Sequence, residues 1–131
     1  MGNSDATIGW RQLREFADVD LARSFVLSWH VEAEMLVIDV DLYLEPGHPF
    51  YETPRPAERH CIRPAFIEFP YCDELSTAAG ASGEVAEIAA KLGLGAINDL
   101  VVLGDSRYAI SGEFGTVSVV AERPILRLKG S

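Results

Sequence analysis

Two groups of side chains in this sequence have types and spacings that could do chemistry. The first is the run His48-Pro49-Phe50-Tyr51-Glu52-Thr53-Pro54-Arg55-Pro56, ending at His60-Cys61. It gathers two histidines, a tyrosine, a glutamate, an arginine and a thiol, a set suited to acid–base work or to holding a ligand. Loops of this length inside a compact domain either fold on themselves or serve a function. The second group lies on a predicted hairpin. Residues 35, 37, 39, 41 and 43 share one face of a strand, so Asp39 and Asp41 stand together there, with His30 and Ser28 facing them from the neighbouring strand. A histidine beside two carboxylates could ligate a divalent ion or form an acid–base pair. The same residues are equally what a one-sided antiparallel sheet shows to solvent.

Other chemistry finds no motif. GxSxG, HExxH and EF-hand loops are absent, and the glycines at 93, 95, 112 and 115 fit neither a phosphate loop nor a dinucleotide fingerprint. His60 and Cys61 are adjacent on a predicted strand and so point to opposite faces, which denies them a dyad. His48, His60, Cys61 and Cys72 supply four zinc-capable atoms, but their spacing matches no established zinc pattern. No metal site and no cofactor are expected, and no residue is assigned as catalytic. The two cysteines, with ten residues between them and no CxxC, read as reduced thiols.

Charge locates a different kind of surface. The chain has 131 residues, 20 acidic and 11 basic side chains, and a net charge of −9. That balance argues against nucleic acid, whose phosphates need clustered Lys and Arg. Residues 15–52 carry nine acids against Arg23 alone, net −8, while 53–131 are nearly balanced. Such a one-sign field solubilises, and it also steers a basic partner. Asp39, Asp41 and Glu45 are the candidate partner-binding residues. His30, His48, Tyr51, Glu52, Arg55 and His60 are the loop and ligand candidates.

The elements that position these residues are mostly strands. Phe25, Leu27, Trp29 and Val31 alternate, as do Leu36, Ile38, Val40, Leu42 and Leu44. The pair predicts an antiparallel hairpin with Trp29 opposite Leu36 or Ile38. This assignment leaves Val26 and Val37 as exposed apolar residues that could form a homo-oligomer face. Cys61, Arg63, Ala65, Ile67 and Phe69 form a third strand, with Pro64 marking an edge or a bulge. Four further β candidates span 97–103, 107–114, 116–121 and 125–129, with Phe114-Gly115 either a tight turn or a bulge. After a small-residue loop at 77–83, Ser82 could cap a helix over 84–92 that buries Val85, Ile88, Ala89 and Leu92. Trp10, Leu13 and Ala17 suit a short N-terminal helix with Thr7 as its cap. The expected fold is α+β and β-dominated: a largely antiparallel sheet of about six or seven strands within a single domain over 1–131. No apolar run is long enough to span a membrane and no signal peptide is legible, so a cytoplasmic location is expected.

The runs Asp20-Leu21-Ala22-Arg23-Ser24-Phe25-Val26-Leu27-Ser28-Trp29, Leu44-Glu45-Pro46-Gly47-His48-Pro49-Phe50-Tyr51-Glu52-Thr53-Pro54 and Tyr108-Ala109-Ile110-Ser111-Gly112-Glu113-Phe114-Gly115 resemble a group of small bacterial proteins of unknown function. That resemblance carries no activity and no assigned site. In size and charge the chain is also similar to immunity proteins that neutralise secreted bacterial toxins. The expectation is therefore a non-catalytic binding domain for a protein partner, possessing a basic surface. The alternative is a small enzyme or a ligand- or metal-binding domain using the His48–His60 loop with His30 and Asp39.

Overall fold

The computed structural model describes residues 8–54, 56, 60–77 and 84–129. Its centre is the predicted hairpin, β2 (Val19–Glu32) with β3 (Met35–Leu44). The turn is two residues, Ala33 and Glu34, both with left-handed φ (46° and 67°), as the right-handed twist of a two-residue hairpin requires. Trp29 therefore pairs with Ile38. Along β3 the alternation holds: Leu36, Ile38, Val40, Leu42 and Leu44 are all buried.

Along β2 it does not hold throughout. Register shifts fall between Asp20 and Phe25 and between Val26 and Ser28. Each inserts extra residues opposite β3 and resets which side chains point inward. Trp29 is buried as expected, but Phe25 and Leu27 are turned to solvent and Val26 is fully buried, the reverse of simple alternation. Val37 is buried too, flanked in register by His30 and Glu68, whose partner Arg127 reaches over from the next strand. Neither valine is available to an oligomer face.

β4 (Cys61–Phe69) pairs with β3 from Leu36↔Phe69 to Leu44↔Cys61. Its other side meets β9 (Ile125–Leu128), but only from Ala65 to Glu68. The Lys129 N–H donates to the Pro64 carbonyl, and proline has no N–H to return, so the β4–β9 ladder stops there. The edge that Pro64 announced is thus half a strand long.

The second half of the sheet contains β6 (Gly95–Gly104), β7 (Arg107–Gly112), β8 (Gly115–Val120) and β5 (Glu74–Thr77), with β1 (Ile8–Gly9) added on β6. The order is β5-β8-β7-β6-β2-β3-β4-β9, antiparallel throughout. Among the described residues, the halves join through a strand ladder consisting of Phe25↔Ala96 and Val26↔Gly95. They also meet across the core, where the Phe69 and Tyr108 rings lie 5.2 Å apart. The described residues form nine strands rather than six or seven, because β1 and β5 are too short to show a period.

Two local expectations change. The N-terminal segment is a pair of 3-10 turns, Trp10–Gln12 and Arg14–Phe16, and not an α-helix. Trp10, Leu13 and Phe16 are buried at the threefold spacing of that geometry, so Phe16 takes the place expected of Ala17. The helix α1 (Val85–Lys91) starts from Glu84, which exchanges capping bonds with Glu87. It buries Ile88 and Ala89 as predicted. Thr7 and Ser82, the expected caps, lie outside the described residues. Glu113-Phe114 is a tight two-residue turn, with Gly112 opposite Gly115. A Cβ on Gly112 would fall 2.2 Å from the Ala96 carbonyl, so glycine is required there. No helix among the described residues is long and apolar enough to cross a membrane.

Candidate functional site

Several acids of residues 15–52 are met by bases, some of them distant in sequence. Glu15 is gripped by Arg123 through Nε and Nη2, Asp20 lies between Arg11 and Arg23, and Glu52 pairs with Arg63. Asp39 accepts a 2.8 Å bond from Ser28 Oγ and lies 3.4 Å from Lys129 Nζ. The −8 stretch is therefore partly neutralised, by Arg23 within it and by Arg11, Arg63, Arg123 and Lys129 from outside it. Burial pushes the Glu15 carboxyl upward, but its bonds to Arg123 outweigh that and hold it below its ordinary value.

Asp41 and Glu45 are different. Among the described residues neither has a cation within ion-pair distance. Asp41 lies between Phe25 on β2 and Pro64 on β4, neither of which offers it charge. His30 stands opposite Val37 and contacts Glu32 Oε2 at 3.0 Å. It is on the predicted face, but its carboxylate is Glu32 rather than Asp39.

The proline-rich loop is wound by its own turns. The Glu45 N–H donates to the Asp18 carbonyl, His48 N–H to the Glu45 carbonyl, and Tyr51 N–H to the His48 carbonyl. His48 Nδ1 accepts from the Phe50 N–H at 3.1 Å, a turn-stabilising role. Burial pushes the His48 imidazole down, against the pull of Asp18, and so favours the neutral ring that this bond needs. Arg55 lies outside the described residues.

His60 is drawn into a cluster the sequence did not announce. Arg23 Nη1 donates to Tyr43 Oη at 3.3 Å, and Tyr43 Oη is 2.7 Å from His60 Nδ1. The phenol oxygen accepts from the guanidinium and shares a second hydrogen bond with the imidazole, whose direction follows the His60 tautomer. Arg23 Nε is 3.4 Å from Asp20 Oδ2, completing a chain Asp20–Arg23–Tyr43–His60. It borders a cleft of about 320 Å³ that Glu45 and Tyr51 also line. A second hollow of about 390 Å³ lies behind the loop, between Phe50, Tyr51, Arg63 and Lys129.

The cluster depends on an excursion of β2. Asp20 pairs with Tyr43 and Phe25 with Asp41, so three more residues are used on β2 than on β3. Ser24 closes the gap: its buried hydroxyl donates to the Asp20 carbonyl and accepts the Tyr43 N–H, both at 3.0 Å. Asp20, Arg23 and Tyr43 were not candidates. The polar Asp20 and Arg23 flanking a run of alternation were the available signal, but pairing them with Tyr43 needs the excursion.

His60 is exposed and Cys61 buried, so they face apart as predicted. The Cys61 thiol accepts the Glu52 N–H at 3.5 Å. Burial, with Asp73 adding to it, pushes the Cys72 thiol up to about 11, which keeps it protonated and poorly nucleophilic at neutral pH. The described residues contain no group of three or more His, Cys, Asp or Glu side chains placed to hold a metal ion. Comparison with protein-family models, curated proteins and solved structures finds no match for this chain.

Proposed function

We propose that this protein is a non-catalytic binding domain whose outer β2–β3 face takes a basic protein partner. The observation that carries the reading is the contrast among the acids of residues 15–52. Among the described residues, Glu15, Asp20, Asp39 and Glu52 have cations within ion-pair distance, whereas Asp41 on β3 and Glu45 just beyond its end have none; Asp18 and Glu34, which also lack one, lie in turns. Carboxylates with no described cation of their own, on a paired strand and just beyond its end, offer a partner's lysines or arginines complementary charge at little ordering cost on this side. The test is affinity capture from native lysate with the wild-type chain and with Asp39→Lys, Asp41→Lys and Glu45→Lys combined, followed by titration with the purified captured protein. Binding should weaken at least tenfold in the triple variant and lose its salt sensitivity. Undiminished binding removes the reading.

One observation favours a second reading, a small polar ligand in the cleft beside Tyr43 and His60. The Asp20–Arg23–Tyr43–His60 chain fixes donors and acceptors at the cleft wall. Native mass spectrometry of protein purified from its own source would decide it. This reading expects a bound small molecule that is lost on Tyr43→Phe, and a ligand-free wild-type spectrum contradicts it.

A further inference from the structure

The register shift between Val26 and Ser28 has a consequence for recognition. It places Val26 in the core and turns its two neighbours outward, leaving Phe25 and Leu27 each 39% exposed. A bulge that exposes two large apolar side chains forgoes their burial, and exposed apolar groups that cluster mark contact surfaces. These two do cluster with a third. Val26 pairs with Gly95, so Leu27 and Leu94 come next along the two chains, and Leu94 is 61% exposed.

The rim of this patch is acidic. Asp41 is the register partner of Phe25, and Glu113 lies against Gly95, its Oε1 accepting the Ala96 N–H at 2.8 Å. The nearest cation along β2, Arg23, is committed to Asp20 and Tyr43. A second copy of the chain would set acidic rim against acidic rim at a net charge of −9 apiece, which disfavours self-association.

We infer that the Phe25–Leu27–Leu94 patch is the anchor point for a partner segment presenting one apolar side chain between basic residues. The apolar side chain would sit on the leucines while its basic neighbours meet Asp41 and Glu113. This inference rests on the partner-binding reading and adds to it an apolar anchor that charge alone does not require.

The probe is a fluorescein-labelled, amidated peptide with one leucine between two lysines on each side, compared with the same peptide carrying glutamates. Fluorescence anisotropy should give at least tenfold tighter binding for the lysine peptide. Leu27→Ser should weaken that binding at least tenfold, with Phe25→Ser behaving alike and the melting temperature of both variants close to wild type. Binding that survives Leu27→Ser but not Asp41→Lys would overturn the anchor and leave the electrostatic reading standing. Binding untouched by either variant, or no lysine-peptide binding at all, would overturn the anchor, while the lysate capture separately judges the broader reading. A dimer in sedimentation that Leu27→Ser dissolves would show that a second copy covers the patch, and would also overturn it.

Discussion

The two ends of the β2–β3 hairpin have the same strands and opposite behaviour. Near the Ala33–Glu34 turn the ladder is regular, Trp29 and Ile38 face the core, and Ser28 and Asp39 bond across the outer face. Farther from the turn, β2 spends extra residues, and the rule linking sequence parity to burial breaks twice. The regular end is built for stability. The irregular end holds the exposed Phe25 and Leu27, the Arg23–Tyr43–His60 chain, and Asp41, which has no ion-pair partner among the described residues. Bulges cost ladder bonds, and here they re-aim side chains that a regular strand would bury or leave scattered.

The sharpest way to break this contrast is a pair of neighbours. Val26→Ser should cost about 3 kcal/mol, because it both empties core volume and buries a hydroxyl. Leu27→Ser should cost much less, about 0.5–1 kcal/mol, since Leu27 is 39% exposed and its loss opens no closed cavity. Simple alternation expects the opposite ranking, and urea unfolding of the two variants separates the cases. Ser24→Ala comes next. It removes the hydroxyl that bridges Asp20 and Tyr43, leaves the Tyr43 N–H without that acceptor, and should cost about 1–2 kcal/mol by the same measurement.

At the regular end the expected effect is smaller and of opposite sign. Ala33 and Glu34 adopt left-handed backbone that asparagine and glycine adopt more readily. The double change Ala33→Asn with Glu34→Gly should therefore stabilise the protein by about 1 kcal/mol, and a fall in melting temperature would contradict the turn assignment.

The smallest effect is a pH slope. Arg123 holds the Glu15 carboxyl below its ordinary value of 4.5, so the pair's contribution is present above that value and is lost as pH falls through the lower, folded-state value. Unfolding measured from neutral to acid pH should decline less steeply in Glu15→Gln than in wild type. Equal slopes would mean that the pair adds nothing in solution.

Much of the fold was legible because burial imposes a period. β3 and β4 read correctly from alternation alone, and α1 from its apolar stripe. The failures have physical causes. β1 and β5 are two and four residues long, too short to express a period. The N-terminal segment repeats every three residues, which resembles an α-helix until Phe16 replaces Ala17 on the inner side. The β2 bulges were invisible because Phe25 and Leu27 are apolar at the right parity for a core they do not enter.

The candidate site was legible in its charge and not in its wiring. The acids of residues 15–52 were evident, but the cations that quench some of them come from far along the chain: Arg123 to Glu15, and Lys129 to Asp39. Only the folded topology separates Asp41 and Glu45 from their neighbours. His60 was a candidate for its residue type, and its actual partners, Tyr43 and Arg23, became neighbours through an irregular register.

The most direct test of the account is a map of where a basic, leucine-centred peptide touches the protein. Amide chemical shifts recorded by NMR during titration with the lysine-flanked peptide should move at Phe25–Ser28, Asp41 and Leu94–Ala96, while Glu74–Thr77 and Thr116–Val120 at the far edge stay still. Shifts concentrated at that far edge, or none at β2 and β3, would contradict the assignment of the outer hairpin face as the binding surface.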